Sequence, residues 1–526
     1  PGGATLSGPS TIAAVSGVAT FATLSLNRSG SGYTLAASST NLTGATSAAF
    51  DVAPGAAARL SVAIQPSASA ASGGALAQQP VVQVQDTNGN AVAQLGIVVG
   101  ATIASGPPGA TLTGASATTD ANGRATFSGL TITGLAGAYT LSFSATGLAT
   151  TTSTTIGLAA GTAARLALAT QPSSTSQSGV AFAQQPVVQV QDGAGNPVAQ
   201  AGVSVVAAIA SGDGTLGGTV SVATNASGVA AFTDLAITGG AGPRTLRFSA
   251  TGLAAATSGT VTVGAGAATT IAVQSGDNQS AAAGTAVATP PAVLVTDASG
   301  NPVALTAVTF AVLTGGGTVV PTGPVTTGAN GVAAVTSWTL GPTVGPNTLR
   351  ASAAGLAGSP LTFTATGTVG APALISKSGG DNLSGPVGTV LGTPHEVSVS
   401  DAHGNPVPGA TVAWAAATGG GSVNPTVATT GTNGRATAIR TLGATPGPQS
   451  TTATVTIAGT PTSVTFTITA TVGGAAQMLL NGGDSQVDTV GATLPVLLSV
   501  LVTDQLNNPV PGVLITWTVT DGGGSV

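Results

Sequence analysis

Few side chains in this sequence are equipped for chemistry, and most of those that are recur at fixed intervals. Cysteine is absent, and the chain holds one lysine, Lys377, one glutamate, Glu396, and two histidines, His395 and His403. The aspartates carry the pattern. A segment D-x-x-G-N-P-V runs over 192–198, 297–303 and 401–407, with close variants at 86–92 and 504–510. Asp86, Asn88 and Asn90 together suggest the opening of a calcium loop. Calcium takes six to eight oxygens, usually from several carboxylates, and each of these loops offers a single carboxylate. A turn accounts for every letter instead. The aspartate (Asp86, Asp192, Asp297, Asp401, Asp504) bonds its own backbone in an Asx-turn. The glycine (Gly89, Gly195, Gly300, Gly404) and the asparagine (Asn90, Asn196, Asn301, Asn405, Asn508) tolerate positive φ, and proline sets the exit. No metal site is expected.

Histidine catalysis requires a partner, and neither histidine has a carboxylate pair beside it. Both fall in one repeat. The positions equivalent to His395 hold Pro80, Pro186, Pro291 and Leu498, and those equivalent to His403 hold Asn88, Ala194, Ser299 and Leu506. Whatever these histidines do is therefore not a repeated function. Without cysteine there is no thiolate nucleophile, no disulfide and no cysteine metal site. The G-G-G runs at 315–317 and 419–421 lack the G-K-S/T and the helix of a phosphate loop, and read as turns at strand ends. No catalytic or cofactor-binding residue and no cofactor is expected.

The elements that position these residues form a repeat. The turn aspartates are separated by 106, 105, 104 and 103 residues, and a second landmark, Gly17, Gly123, Gly228, Gly331 and Gly434, steps by 106, 105, 103 and 103. Two unrelated landmarks with one period define a tandem array. The predicted organisation is the C-terminal half of a repeat at 1–56, complete repeats at 57–162, 163–267, 268–371 and 372–474, and the N-terminal half of another at 475–526. The opening A-T-L at 4–6 matches 110–112, and the closing G-G-S-V at 523–526 matches 420–423. Both ends thus fall in mid-repeat, and either the natural chain continues or neighbouring copies complete each other.

Within one repeat, 165–170 and 186–191 alternate apolar and polar residues, the period of a half-buried strand. Further runs at 202–209, 220–224, 229–237, 244–250 and 259–263 bring the count to about seven strands, the number of an immunoglobulin-like sandwich. Thirteen residues after each turn aspartate stands an apolar residue, Val99, Val205, Phe310, Trp414 or Trp517, predicted to face the opposite sheet in the core. The joints at 161–164, 266–268 and 370–373 are short, which favours domains set end to end. The expected fold class is all-β, tandem immunoglobulin-like β-sandwich domains in an extended rod or filament.

Composition excludes several classes of function. Charged residues make up 5% of the chain, and the net charge of −5 is spread over 526 residues. The ten basic residues are scattered, so clustered phosphate neutralisation, and with it nucleic-acid binding, is not expected. Despite a mean hydropathy of +0.46, apolar stretches break within about ten residues, short of the ~18 that span a bilayer. The sequence opens without a signal peptide, so export is an inference from composition. A surface of Ser, Thr, Gly and Ala makes close approach of like copies cheap and insensitive to salt. Neighbouring copies of the chain are the expected partners, with surface glycans or proteins of a host or neighbouring cell as further candidates. The expected location is extracellular.

The sequences at 271–279 (I-A-V-Q-S-G-D-N-Q), 297–303 (D-A-S-G-N-P-V), 314–319 (T-G-G-G-T-V) and 326–333 (T-T-G-A-N-G-V-A) resemble bacterial immunoglobulin-like domains of the group-one type, the repeats of invasin- and intimin-like adhesins. The resemblance covers the whole chain and is best over 269–526, where G-G-D-N or G-G-D-S recurs at 379 and 482. The two earlier complete repeats instead carry Q-P at 65–66 and 171–172, similar to a related class in long bacterial surface proteins. The resemblance implies a rod, extracellular or at the bacterial cell surface, that carries or spaces a distal binding element, with no catalytic residues. A direct glycan- or protein-binding module, or the spacer region of a larger extracellular enzyme, are the rival expectations.

Overall fold

Valine, threonine and alanine at alternating positions, with almost no lysine or glutamate, leave little to favour a helix. The described residues accordingly form strands and turns throughout, in a computed structural model that describes residues 2–522. The G-G-S-V match at 523–526 lies outside the described residues. None of the described residues forms a helix long and apolar enough to cross a membrane. The chain divides into two compact units, Pro1–Gly266 and Ala267–Val526.

Residues 163–266 illustrate how a repeat is built. In one layer Ala163–Thr170 pairs antiparallel with Val187–Asp192, which pairs with Val229–Ala231. In the other, Thr175–Gln177 runs parallel to Val261–Gly264, followed in order by Gly242–Ala250, Ser204–Ser211 and Ser221–Ala223. The first strand thus starts in one sheet and finishes in the other. Gln171 and Pro172 lie at the crossover, where proline has no N–H to continue the ladder. The alternation places Val188, Val190, Val205, Leu246 and Phe248 in a dry core between the layers. Each complete repeat centres on an aromatic pair: Phe127 and Phe143 at 5.2 Å, Phe232 and Phe248 at 5.4 Å, Phe310 and Phe363 at 6.4 Å, Trp414 and Phe466 at 5.9 Å.

The expected seven strands become eleven in this repeat. Beyond the split at Pro172, the run 229–237 is interrupted between Val229–Ala231 and Ala236–Thr238. Thr215–Gly217 pairs with the second piece, and an extra strand, Leu253–Thr257, folds back on Gly242–Ala250. These short strands contain only three to five residues each, too few to show a period.

The two motif classes seen before the crossover have one structural role. In the earlier repeats the side-chain oxygens of Gln65 and Gln171 accept the N–H of Thr154 and Gly259 at 2.9 and 3.0 Å. In the later ones Asp277 and Asp381 accept the N–H of Thr364 and Thr467 at 2.7 and 2.9 Å. Either side chain ties the first strand to the last.

The second landmark is explained by a close approach. A Cβ on Gly123 or Gly228 would stand 1.9 Å from the carbonyl oxygen of Val92 or Val198, at φ of 73° and 77°. Those valines leave the aspartate turn, so the two landmarks meet in space, which is why they keep one period.

At the predicted core position Val99, Val205, Phe310 and Trp414 are buried, whereas Trp517 is 37% exposed.

Candidate functional site

The recurring polar cluster sits where one repeat meets the next. Asp192 ends the strand Val187–Asp192 and is buried. Its Oδ1 accepts the N–H of Asn196 at 2.8 Å, closing the predicted turn. Its Oδ2 accepts the N–H of Gly161, in the linker from the preceding repeat, and the Asn196 amide, both at 2.8 Å. The asparagine then reaches further. Asn196 Nδ2 donates to the Gly134 carbonyl at 2.9 Å, and its Oδ1 accepts the N–H of Ala136 at 2.7 Å. One side-chain amide therefore behaves as a peptide group laid against the backbone of the repeat before it.

The same geometry recurs at the other joints within each unit. Asn90 bonds the Asn27 carbonyl and the Ser29 N–H at 3.0 and 2.9 Å, while Asp86 accepts from Gly55 at 2.9 Å. Asn405 bonds the Pro342 carbonyl and the Val344 N–H at 2.8 and 3.2 Å, while Asp401 accepts from Gly370 at 3.0 Å. Asn508 donates to the Ala444 carbonyl at 2.8 Å, and Asp504 accepts from Gly473 at 2.9 Å.

This revises one part of the sequence reading. Positive φ falls on Gly89, Gly195, Gly300 and Gly404, and in the last turn on Asn507, but not on Asn90, Asn196, Asn301, Asn405 or Asn508. Asn90, Asn196, Asn405 and Asn508 instead hold their place through the side chain, each reaching a carbonyl about sixty residues earlier in the sequence. His403 and Leu506, two residues after the aspartate, also cross a joint: a Cβ on Gly284 would stand 1.9 Å from His403 Nε2, and one on Gly388 would stand 2.8 Å from Leu506 Cδ1. Each glycine is a socket for the side chain of the next repeat.

A further position escaped the sequence reading. Tyr33, Tyr139, Arg244, Asn347 and Gln449 close the end of the sandwich, each bonding the backbone of an adjacent loop. Their side chains are two phenols, a guanidinium and two carboxamides. Only the two tyrosines, 106 residues apart, gave a signal.

Electrostatically the joint is a charged acceptor wrapped in donors. Burial pushes the Asp86 carboxyl up, but the Asn90 amide and the N–H groups of Gly55, Asn90 and Asn88 outweigh it and hold the group at about 2. Asp401 and Asp504 are likewise held at about 2, and Asp192 is lowered by the same kinds of partner. An unfolded chain takes up these protons near 3.8, so the stability contributed by the joints is complete above that pH and is lost as pH falls through about 2. Acid titration followed by small-angle scattering is expected to show joint loosening in that window and none between pH 7 and 5.

Asn196→Ala is expected to leave the fold of both neighbouring repeats intact while raising the amide exchange of Ala136 several-fold. Each neutral hydrogen bond contributes about 1 kcal/mol, and hydrogen-exchange mass spectrometry reads the change. Among the described residues no group of three or more His, Cys, Asp or Glu side chains is placed to hold a metal ion.

Two stacked sheets, a first strand that changes layers, and a core rebuilt at each period define a tandem immunoglobulin-like β-sandwich protein. Residues 57–157 match the family described as SMCHD1 Ig-like domain 6. No curated protein matches the sequence. Among solved structures, the chain is similar to FdeC, an Escherichia coli adhesin, at 20% identity over 59% of this chain and 98% of that one, with a TM-score of 0.37. It is similar to invasin, a bacterial integrin-binding protein, at 18% identity over 81% of each chain, TM-score 0.31. A tetra-tandem repeat from the extending region of a large adhesion protein matches at 17% identity over 79% of this chain and all of that one, TM-score 0.25.

Proposed function

We propose that this chain is the repeat region of a bacterial cell-surface or secreted fibre, of the group-one immunoglobulin-like class, which extends or spaces an adhesive element and catalyses no reaction. The observation that carries the reading is the joint. The same Asp and Asn pair ties each repeat to the linker and backbone of the one before it at four places. A clip repeated at four junctions suits a protein whose task is to hold its domains in line under tension. The repeats, with domain limits near 57–162, 163–267, 268–371 and 372–474, would each open and reclose separately. Charge of 5% supports lateral or end-to-end packing of copies outside the cell.

Pulling single molecules tests the reading. Successive unfolding peaks should be spaced by roughly 35 nm, the extended length of one repeat at about 3.4 Å per residue, and unstressed particles should be elongated in electron micrographs. One cooperative unfolding event, or a globular particle with turnover of an added glycan, would sink it. Ordered filaments at both low and high salt would support packing of copies, and monodisperse single particles throughout would remove it.

A further inference from the structure

Repeat 372–474 differs from its neighbours inside its core. His395 begins the strand His395–Ser400 and is fully buried, where the other three complete repeats place Pro80, Pro186 and Pro291. Its Nδ1 lies 2.6 Å from the Gly380 carbonyl and its ring stacks on Phe466 at 4.5 Å, while Nε2 is buried with no hydrogen-bond partner. The adjacent strand Arg435–Thr441 sets Ala438 opposite His395 and turns Ala436, Ala438 and Arg440 inward.

Arg440 is fully buried as well. It pairs in register with Val423, as Ile132 does with Leu112, Ile237 with Leu216 and Trp338 with Val319. A guanidinium, which stays charged at any relevant pH, thus fills a core position that is apolar in every other complete repeat. Its Nη2 donates to the carbonyls of Thr418 and Gly420 and to Gln449 Oε1, whereas Nε and Nη1 have no partner. The described ion pairs do not include it.

The other charges around His395 do not offset this cation. Lys377, from the strand Leu374–Gly379, lies 5.9 Å from the Phe466 ring and holds Asp381 in an ion pair. Glu396, on the outer face, pairs with Arg435. We propose that repeat 372–474 is an acid-weakened link: protonation of His395, on the same inner face as Arg440, makes this repeat open more readily than the other three.

A second charge in the same apolar layer is costly unless it is paired. Burial, the largest influence, holds the imidazole below its ordinary 6.5 and Arg440 adds to this, with the Gly380 carbonyl and Asp381 acting the other way. The unfolded chain therefore takes up the proton first. Stability of this repeat is complete above about pH 6.5 and falls as pH drops below it, well before the joint carboxylates titrate. Acidification to pH 5 would then make this repeat the first of the four to open, while the joint carboxylates stay ionised.

Hydrogen-exchange mass spectrometry on the whole 526-residue chain tests this, with rates corrected for the intrinsic effect of pH. Between pH 7.5 and 5.0 the strands His395–Ser400 and Arg435–Thr441 are expected to lose protection severalfold, up to the limit of about thirtyfold reached when only the unfolded chain, with its ordinary imidazole near 6.5, takes up the proton. Val187–Asp192 and Ala292–Asp297 should be unchanged. His395→Gln should keep protection at pH 7.5 and abolish the acid response. If His395→Gln is already unprotected at pH 7.5, Arg440→Ile decides: greater protection than the parent chain at pH 5.0 supports the proposal, and equal or lower protection overturns it. A loss shared by all four repeats, no loss in any, or an acid response that persists in folded His395→Gln also overturns it.

Discussion

Gly228→Ala is expected to destabilise residues 163–266 by about 4 kcal/mol, at the high end of single substitutions, and to make this the first repeat to unfold in denaturant. Two costs combine. The residue sits at φ 77°, where a side chain is strained, and the new Cβ would stand 1.9 Å from the Val198 oxygen and 3.1 Å from the Val198 carbonyl carbon. Backbone cannot swing aside as a flexible side chain could. Val198 is itself bonded to Val190, so relief of the clash would break a core strand. Gly193→Ala is the control, because its Cβ meets nothing within 4 Å. It should leave the unfolding midpoint unchanged, and equal effects from the two substitutions would show that the close approach does not matter.

Asp192→Ala should cost about 3 kcal/mol, roughly the value of hydrogen bonds to a charged acceptor in a buried turn. It removes the acceptor for Asn196 N–H, Asn196 Nδ2 and Gly161 N–H together. The effect should have two parts that separate in measurement. Unfolding of 163–266 comes earlier because the turn is lost, and exchange at Gly161 rises because the linker is no longer held. Asn196→Ala should reproduce only the crossing to Gly134 and Ala136. A drop in stability with no change at Gly161 would mean that the aspartate serves the turn alone.

What could be read from the residues, and what could not, follows from the range of each interaction. The aspartate turns and the landmark glycines keep their spacing because each is fixed by backbone conformation within a few residues, and alternation marks long strands such as Gly242–Ala250. The number of strands was underestimated because pieces as short as Thr215–Gly217 are defined by their partners across the sandwich. The bond from Asn196 to Gly134 spans 62 residues, and any asparagine in a turn would read the same way in sequence. His395 and Arg440 were legible as isolated polar residues. Their placement on one inner face, with Arg440 two residues beyond the Ala438 that pairs with His395, depends on register between two strands.

The asparagines that bridge the joints also bear on chemical ageing. An asparagine deamidates most readily when the backbone nitrogen of the following residue loses its proton and attacks the side-chain carbonyl, closing a succinimide. Asn196, Asn301, Asn405 and Asn508 are each followed by proline, whose nitrogen carries no hydrogen to lose. Their amides are thereby shielded from conversion to a carboxylate, which would repel the adjacent aspartate and accept where the amide donates. Asn90 is followed by Ala91 and lacks this shield, so the first joint is where a long-exposed chain would lose its clip soonest.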